Sequence, residues 1–415
     1  MLDTEKIGAF IAEKRRQHGL TQQQLAGRLN ISFQAVSKWE NGTACPNIEL
    51  LAELAAVLGV TADELLAGRE RAEEGLSYSR AGVDIAYTDA MKREMADVLE
   101  RGDRRVLNGL GAFASLYDID FPDIKHPVLV LKSEEPGSKQ KLAVEYGYTE
   151  SICHDMINHL VNDIIVMGAK PLAVLDTIVC GNAEKDTIHA LVKGISDACR
   201  ENECSLVGGE TSIQPQVVNA GTYVLTASIA GIVEKERIID GSAVREGEVV
   251  LAAASNGLHT NGYSLVRLMM ERMPQIKLER IEGLTFIEQI MKPHTPYYKA
   301  VKEAVERKLL HAMAHITGGG IAGNLCRVIP DGLTARIDLS SLRIPAIFHF
   351  IREQGGIRED EMLRTFNCGA GLVLVTGREH AETVKRLVSR QCACYEIGEI
   401  VSGQERVRLE GRMSW

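Results

Sequence analysis

The stretch from Ser151 to Thr211 constrains this chain more than any other. It opens on an apolar run in which Ile152, Met156, Ile157, Leu160, Val161, Ile164 and Ile165 recur at helical spacing. Asp155, His159, Asn162 and Asp163 interleave with them, and at about 3.6 residues per turn they fall on one side. A polar seam therefore runs along an otherwise buried helix. Gly168 and Pro171 supply its stop signals. Leu172 to Val179 predicts a strand carrying one acid, Asp176, followed by a polar helix over about 183–202. Cys204 to Thr211 then reads as a short strand entering a double-glycine turn at Gly208 and Gly209, with the Glu210 carboxylate on its rim.

Carboxylates and an amide gathered at the ends of buried elements suit Mg²⁺, which asks for oxygen ligands and room for water and phosphate. The plainer reading makes Asp155 and Asp163 structural acids paired with Lys or Arg. Both stay open at this point.

A chain of 415 residues is too long for one core and implies two or three domains. A hydrophobic share of 45% with 25% charged residues is that of a soluble globular protein, and the net charge of -9 excludes general coating of nucleic acid, so DNA contact must be local. Nine scattered cysteines point to reduced thiols; Cys392-Ala-Cys394 lacks a zinc spacing and reads as strand packing. With no signal peptide and no apolar run of membrane length, a cytoplasmic location is expected.

Residues 1–68 predict an all-α bundle. Ile7, Phe10 and Ile11 mark a first helix ending at Gly19; Thr21 caps a second over Gln22 to Leu29, and Ser32 caps a third over Phe33 to Glu40. Helices over Asn47 to Leu58 and Thr61 to Leu66 complete it. Leu-Thr-Gln-Gln-Gln-Leu-Ala, Ile-Ser-Phe-Gln-Ala-Val-Ser-Lys-Trp-Glu-Asn-Gly and Pro46 give this module a strong resemblance to the lambda-repressor/Cro-like (Xre-type) helix-turn-helix domain. That resemblance puts Gln34, Ser37 and Lys38 against DNA, Gln34 as base reader, with Gln22 and Arg15 or Arg16 on phosphates. Six Lys or Arg face eight Asp or Glu in the module, so one copy would bind weakly and a homodimer on a palindrome is expected.

A charged tether is expected at 69–77. From about 78 to 410 the chain resembles aminoimidazole ribonucleotide synthetase, the phosphoribosylformylglycinamidine cyclo-ligase family. The matching blocks are Ala81-Gly-Val-Asp-Ile85, Gly109 to Phe113, Val161 to Ile164, Ser205 to Thr211, His259-Thr-Asn-Gly-Tyr-Ser-Leu-Val-Arg267, His315-Ile-Thr-Gly-Gly-Gly320 and Arg364 to Gly369. The resemblance implies two α/β lobes, one at 78–235 pairing with its twin in a shared barrel and holding ATP and Mg²⁺, the other at 240–410. It implies phosphorylation of an amide oxygen on formylglycinamidine ribonucleotide, then ring closure by a neighbouring nitrogen with loss of phosphate, catalysed by positioning and charge neutralisation.

Carried over residue by residue, Asp155, Asn162, Asp163, Gly208, Gly209 and Glu210 would face nucleotide, with Asp155, Glu134 and Glu210 on the metal. Lys139 and Gly137 would close the phosphate loop. His259 would move a proton beside Asn261, and the turn Thr317-Gly318-Gly319 would offer a hydroxyl and N–H groups to phosphate.

The family's phosphate loop reads Gly-Thr-Asp-Gly-Val-Gly-Thr-Lys, whereas this chain has Lys132-Ser-Glu-Glu-Pro-Gly-Ser-Lys139. Two glycines are lost, and Glu135 adds a carboxylate that, about 4 Å from a phosphate, costs roughly 4 kcal/mol at an effective dielectric near 20. Cys153-His154 and Ser212-Ile-Gln-Pro-Gln216 depart as well. Three functions follow. The first is an ATP-dependent cyclo-ligase carrying a DNA-binding module, which the retained residues place ahead. The second is a weakened synthetase fold that senses a nucleotide or purine intermediate and regulates transcription. The third is a related ATP-dependent enzyme acting on another substrate.

Overall fold

The computed structural model describes residues 3–70, 90, 103–108, 112–182 and 184–415. The Ala81 to Ile85 block, most of the Gly109 to Phe113 block and the tether beyond residue 70 lie outside them. The chain divides into two compact units, 1–80 and 81–415. Among the described residues no helix is long and apolar enough to cross a membrane.

The first unit holds α1 (Thr4–Gln17), α2 (Gln22–Arg28), α3 (Phe33–Glu40), α4 (Leu51–Leu58) and α5 (Ala62–Ala67). Thr21 and Thr61 close capping boxes with Gln24 and Glu64, and Ser32 accepts from the Ala35 amide, so orphan N–H groups at three helix starts are satisfied locally. The helix expected from Asn47 begins instead as a 3₁₀ turn, Ile48–Leu50, that leads into α4. Ile7, Ile11, Leu25, Val36, Trp39, Leu54, Leu58 and Leu65 form the core. α1 lies so close to the end of α3 that a Cβ on Gly8 would stand 2.1 Å from the Trp39 carbonyl oxygen.

The second unit begins with β1 (Pro127–Glu134), α6 (Lys139–Tyr146), α7 (Thr149–Ile165), β2 (Lys170–Cys180), α8 (Lys185–Glu201), β3 (Ser205–Ile213) and β4 (Tyr223–Glu234). The strands form a sheet in the order β1-β4-β2-β3, antiparallel except for the β2/β3 pair. The helices cover one face, where Val174, Ile178, Leu225, Ala227 and Ile229 are buried. The other face exposes Leu129, Leu131, Leu175 and Val224. The expected glycine turn is absent: β3 runs straight through Gly208 and Gly209. The glycines are there for room, since a Cβ on Gly209 would meet the Asp176 carboxylate at 1.9 Å.

The remainder contains β5 (Val249–Ala254), α9 (Tyr263–Arg272), the hairpin β6 (Arg280–Ile281) and β7 (Leu284–Thr285), α10 (Phe286–Ile290), α11 (Tyr298–Glu306) and β8 (Ala312–His315). It continues with α12 (Gly320–Leu325), β9 (Leu333–Asp338), α13 (Ala346–Gly355), α14 (Glu359–Thr365), β10 (Ala370–Thr376), α15 (Ala381–Val388), β11 (Cys394–Ser402) and β12 (Val407–Glu410). Its sheet runs β12-β9-β11-β5-β10-β8. The almost wholly apolar β5 and β10 are buried along their length, as strands covered on both faces must be.

Candidate active site and DNA-reading helix

The seam of α7 exists as read, and it grips backbone. Ser151 donates to the Met291 carbonyl (2.6 Å) and Asn158 to the His294 carbonyl (2.7 Å). Asp155 Oδ1 accepts from the His294 amide (2.8 Å); Asn162 donates to the Thr295 carbonyl (2.9 Å) and accepts from the Tyr297 amide (3.0 Å). The buried peptide groups of the 291–297 loop need such partners. Lys139 completes the latch: its Nζ lies 2.9 and 2.7 Å from the two Asp155 oxygens and donates to the carbonyls of His259 (3.2 Å) and Lys292 (2.7 Å). Both side chains are 0% exposed. Burial pushes the Asp155 carboxyl up to about 6 against the pull of Lys139, and pushes the Lys139 ammonium down.

Asp155, expected on a metal, Asn162, expected on a nucleotide, and Lys139, expected on phosphate, each have partners inside the protein. In this arrangement all three are sealed and committed within the protein. The plainer reading of Asp155, a structural acid paired with a lysine, describes it.

At the far end of the seam, side chains from α7, β1 and β8 meet around Asp163. His315 Nδ1 donates to its Oδ1 at 2.7 Å, and Lys132 Nζ lies 3.0 Å from Oδ2 and 3.1 Å from Glu134 Oε2. His159 Nε2 faces Asp163 Oδ2 at 3.7 Å and Glu134 Oε2 at 3.9 Å. Despite burial, the hydrogen bond and charge of His315, together with His159 and Lys132, hold the Asp163 carboxyl well below the carboxylate range. Burial, then His315, pushes His159 down to about 4.

Two more imidazoles adjoin it. His294 Nε2 lies 2.9 Å from His315 Nε2, His259 stacks on His294 with ring centroids 3.9 Å apart, and Thr260 Oγ bonds His159 Nδ1 at 3.0 Å. This cluster of four histidines escaped the sequence reading. Only the i, i+4 placement of His159 and Asp163 hinted at it.

His259 was expected to move protons. It is 1% exposed with φ +61°, its Nε2 pairs with Thr295 Oγ at 3.1 Å, and its Nδ1 is buried without a hydrogen-bond partner. Desolvation pushes it well below its ordinary value, so it is neutral here. Asn261 Oδ1 accepts from the Gly318 amide (3.0 Å), Gly319 N donates to the Arg364 carbonyl, and Gly320 N to the Thr317 carbonyl. The N–H groups expected to receive phosphate are thus already used inside the protein, and Thr317 Oγ pairs with Asn324.

Gly208, Gly209 and Glu210 line a cavity of about 890 Å³ with Lys132, Ser133 and Asp176 on the open face of the first sheet. Burial pushes Asp176 up to about 7. Gly137, with φ +63°, turns the chain from β1 into α6.

The carboxylates expected around Mg²⁺ do not meet. Among the described residues, no group of three or more ligand-bearing side chains within reach of one ion includes Asp155 or Glu210, and the groups that do form contain imidazole.

In the first unit, Gln34 and Lys38 are exposed on α3 and Ser37 is half-buried. Gln22 and Arg15, expected on phosphates, both pair with Glu40. Arg15 grips Glu40 through Nε and Nη2 (2.5 and 2.9 Å) and the Leu20 carbonyl, and Gln22 donates to Glu40 Oε2 at 2.7 Å. They lock α1 and α2 onto the end of α3, the helix whose outer face stays free.

Residues 11–65 match the helix-turn-helix profile, 129–233 the AIR synthase related protein N-terminal domain, and 245–410 the corresponding C-terminal domain. A phosphoribosylformylglycinamidine cyclo-ligase from Methylobacillus flagellatus is 40% identical over 341 residues, covering 82% of this chain and 96% of that protein. One from Xanthomonas campestris is 39% identical over 341 residues, covering 80% and 100%. Among solved structures, the thiamine-monophosphate kinase of Stenotrophomonas maltophilia aligns with a TM-score of 0.54 at 18% identity, covering 80% of this chain and 98% of that one. The hydrogenase maturation protein HypE in complex with ATP aligns at 0.55 and 16%, covering 80% and 92%. At those identities they share the fold.

Proposed function

The chain belongs to the phosphoribosylformylglycinamidine cyclo-ligase family, and from that membership we propose that its second unit closes the imidazole ring of aminoimidazole ribonucleotide on formylglycinamidine ribonucleotide, consuming ATP. The observation that carries this reading is identity of 40% sustained over 96% of a named cyclo-ligase. The γ-phosphoryl group passes to the amide oxygen, the neighbouring nitrogen attacks the activated carbon, and phosphate leaves as the ring closes. Lys132, whose Nζ stands between Glu134 and Asp163 at the end of β1, would offset phosphate charge there. Lys139 and Asp155 act by holding the 291–297 loop in place.

The first unit carries this protein to DNA through α3, with Gln34 and Lys38 presented to the major groove. The open apolar face of the first sheet supports a homodimer, which would double the weak contact of one module. The setting is the cytoplasm.

A second reading is favoured by the latch and by the committed N–H groups of the Thr317 to Gly320 turn: a synthetase fold that binds a nucleotide or purine intermediate and regulates transcription without turnover. One experiment separates them. The full chain, incubated with formylglycinamidine ribonucleotide, ATP and Mg²⁺, yields aminoimidazole ribonucleotide and ADP on the first reading. No turnover, together with DNA affinity that changes with nucleotide, selects the second.

A further inference from the structure

We propose that His259, His294 and His315 form a site for a divalent transition-metal ion of the Zn²⁺ class, bound through His294 Nε2, His315 Nε2 and His259 Nδ1. All three residues are buried, and their ligand atoms lie within 4.8 Å of one another. Three imidazoles suit borderline ions such as Zn²⁺ or Co²⁺ and leave a fourth position to water. Burial pushes His259 and His294 well below their ordinary values, so both stand neutral, which is the ligating form.

Each ring already meets an oxygen through its outer nitrogen. A ligating imidazole keeps one nitrogen for the ion and gives its other N–H to such a partner. His315 Nδ1 lies 2.7 Å from Asp163 Oδ1, His259 Nε2 3.1 Å from Thr295 Oγ, and His294 Nδ1 3.5 Å from Thr260 Oγ. That leaves His294 Nε2 and His315 Nε2, 2.9 Å apart, and His259 Nδ1, a buried nitrogen with no hydrogen-bond partner. The Asp163 carboxylate behind His315 brings negative charge to set against the ion.

The backbone around the rings is fixed. His315 ends β8, and the peptide groups of His294 are clamped, its amide by Asp155 and its carbonyl by Asn158. Gly371 makes room for His259, since a Cβ there would stand 2.7 Å from the ring Cε1. One movement is required: His259 stacks on His294 with centroids 3.9 Å apart, and must tilt to aim Nδ1 at an ion the two rings share.

Metal uptake in the absence of substrate tests this independently of cyclo-ligase activity. The full chain, carrying His126→Ala to remove the exposed His126, Glu234 and Glu236 group, is stripped with chelator and titrated with Co²⁺ by equilibrium dialysis and visible absorption under excess Mg²⁺. One Co²⁺ per chain is expected, with the d–d bands of a four-coordinate nitrogen/oxygen site. His294→Ala should weaken uptake roughly a hundredfold or more, and Asp163→Asn, which acts on the ion only through His315, roughly ten- to a hundredfold. His159→Ala, outside the set, should leave affinity unchanged. Far-UV circular dichroism checks the fold of each variant, and Asp163→Asn carries the test if His294→Ala does not fold. No uptake by the parent chain, uptake that survives His294→Ala at the parent affinity, or uptake lost in His159→Ala instead overturns the proposal.

Discussion

Breaking the Lys139–Asp155 latch from either side should destabilise the loop it holds, with opposite dependence on pH. Each partner is 0% exposed, so removing one leaves an uncompensated buried charge, which costs about 3–5 kcal/mol. In Lys139→Met the survivor is Asp155, whose folded pKa is already raised by burial above its unfolded value. Its protonated form is the one the fold tolerates. That variant is therefore most stable at acidic pH and loses stability as pH rises through the folded value.

In Asp155→Asn the survivor is Lys139, whose folded pKa is lowered by burial. Its neutral form is tolerated, so that variant is weakest at low pH and recovers toward alkaline pH. The double variant Lys139→Met/Asp155→Asn leaves no charge, and Asn still accepts from the His294 amide. It forfeits two bonds to carbonyls at about 1 kcal/mol each and should cost less than either single change.

Hydrogen exchange at the His294 and Tyr297 amides measures the opening. A loss of about 3–5 kcal/mol accelerates exchange by roughly two to four powers of ten. Equal pH trends in the two single variants, or accelerations below about tenfold, would refute the assignment of Lys139 and Asp155 as a charge-paired latch.

Gln34→Ala should relax DNA specificity by about 1–3 kcal/mol at one base position while overall affinity falls little, as read by competition between sites in a mobility-shift assay. Retained discrimination would remove Gln34 as the reader. In the first unit, burial works against ionised Glu40, but hydrogen bonds from Arg15 and Gln22 hold its pKa below the unfolded value. Its contribution is present above the unfolded pKa and disappears as pH falls through the folded one, so Glu40→Gln should flatten the acid limb of the module's denaturation curve followed by Trp39 fluorescence. Leu131→Glu, on the open sheet face, should convert a dimer to a monomer in sedimentation velocity with secondary structure unchanged; a parent protein that is already monomeric would defeat the dimer proposal.

Helix starts were legible because a Ser or Thr cap announces itself within three residues, as at Thr21, Ser32 and Thr61. The α7 seam was legible as a pattern, since periodicity tells which residues share a face. What covers that face was not. Asp155 and Asn162 meet backbone more than 130 residues further along the chain, and no local spacing encodes such a partner. Gly208 and Gly209 read as a turn because glycine permits one; the reason for at least Gly209 is the Asp176 carboxylate on the adjacent strand, which only the register of β2 and β3 reveals. The surroundings of Lys139 were hidden for a related reason. A lysine closing a loop looks available to phosphate until the first turn of α6 draws it into the protein.

With a second copy covering the sheet face that bears Leu129, Leu131, Leu175 and Val224, as proposed, quantity would become a structural variable. A surface finished by a second copy is covered in proportion to how much protein the cell contains, so dilution alone strips it and raises the exposed hydrocarbon of every subunit. Expression level would then set solubility and, through the paired modules, occupancy of any site they read. On the proposed homodimer a modest change in dosage would act steeply, because two subunits would have to be present for either to be complete.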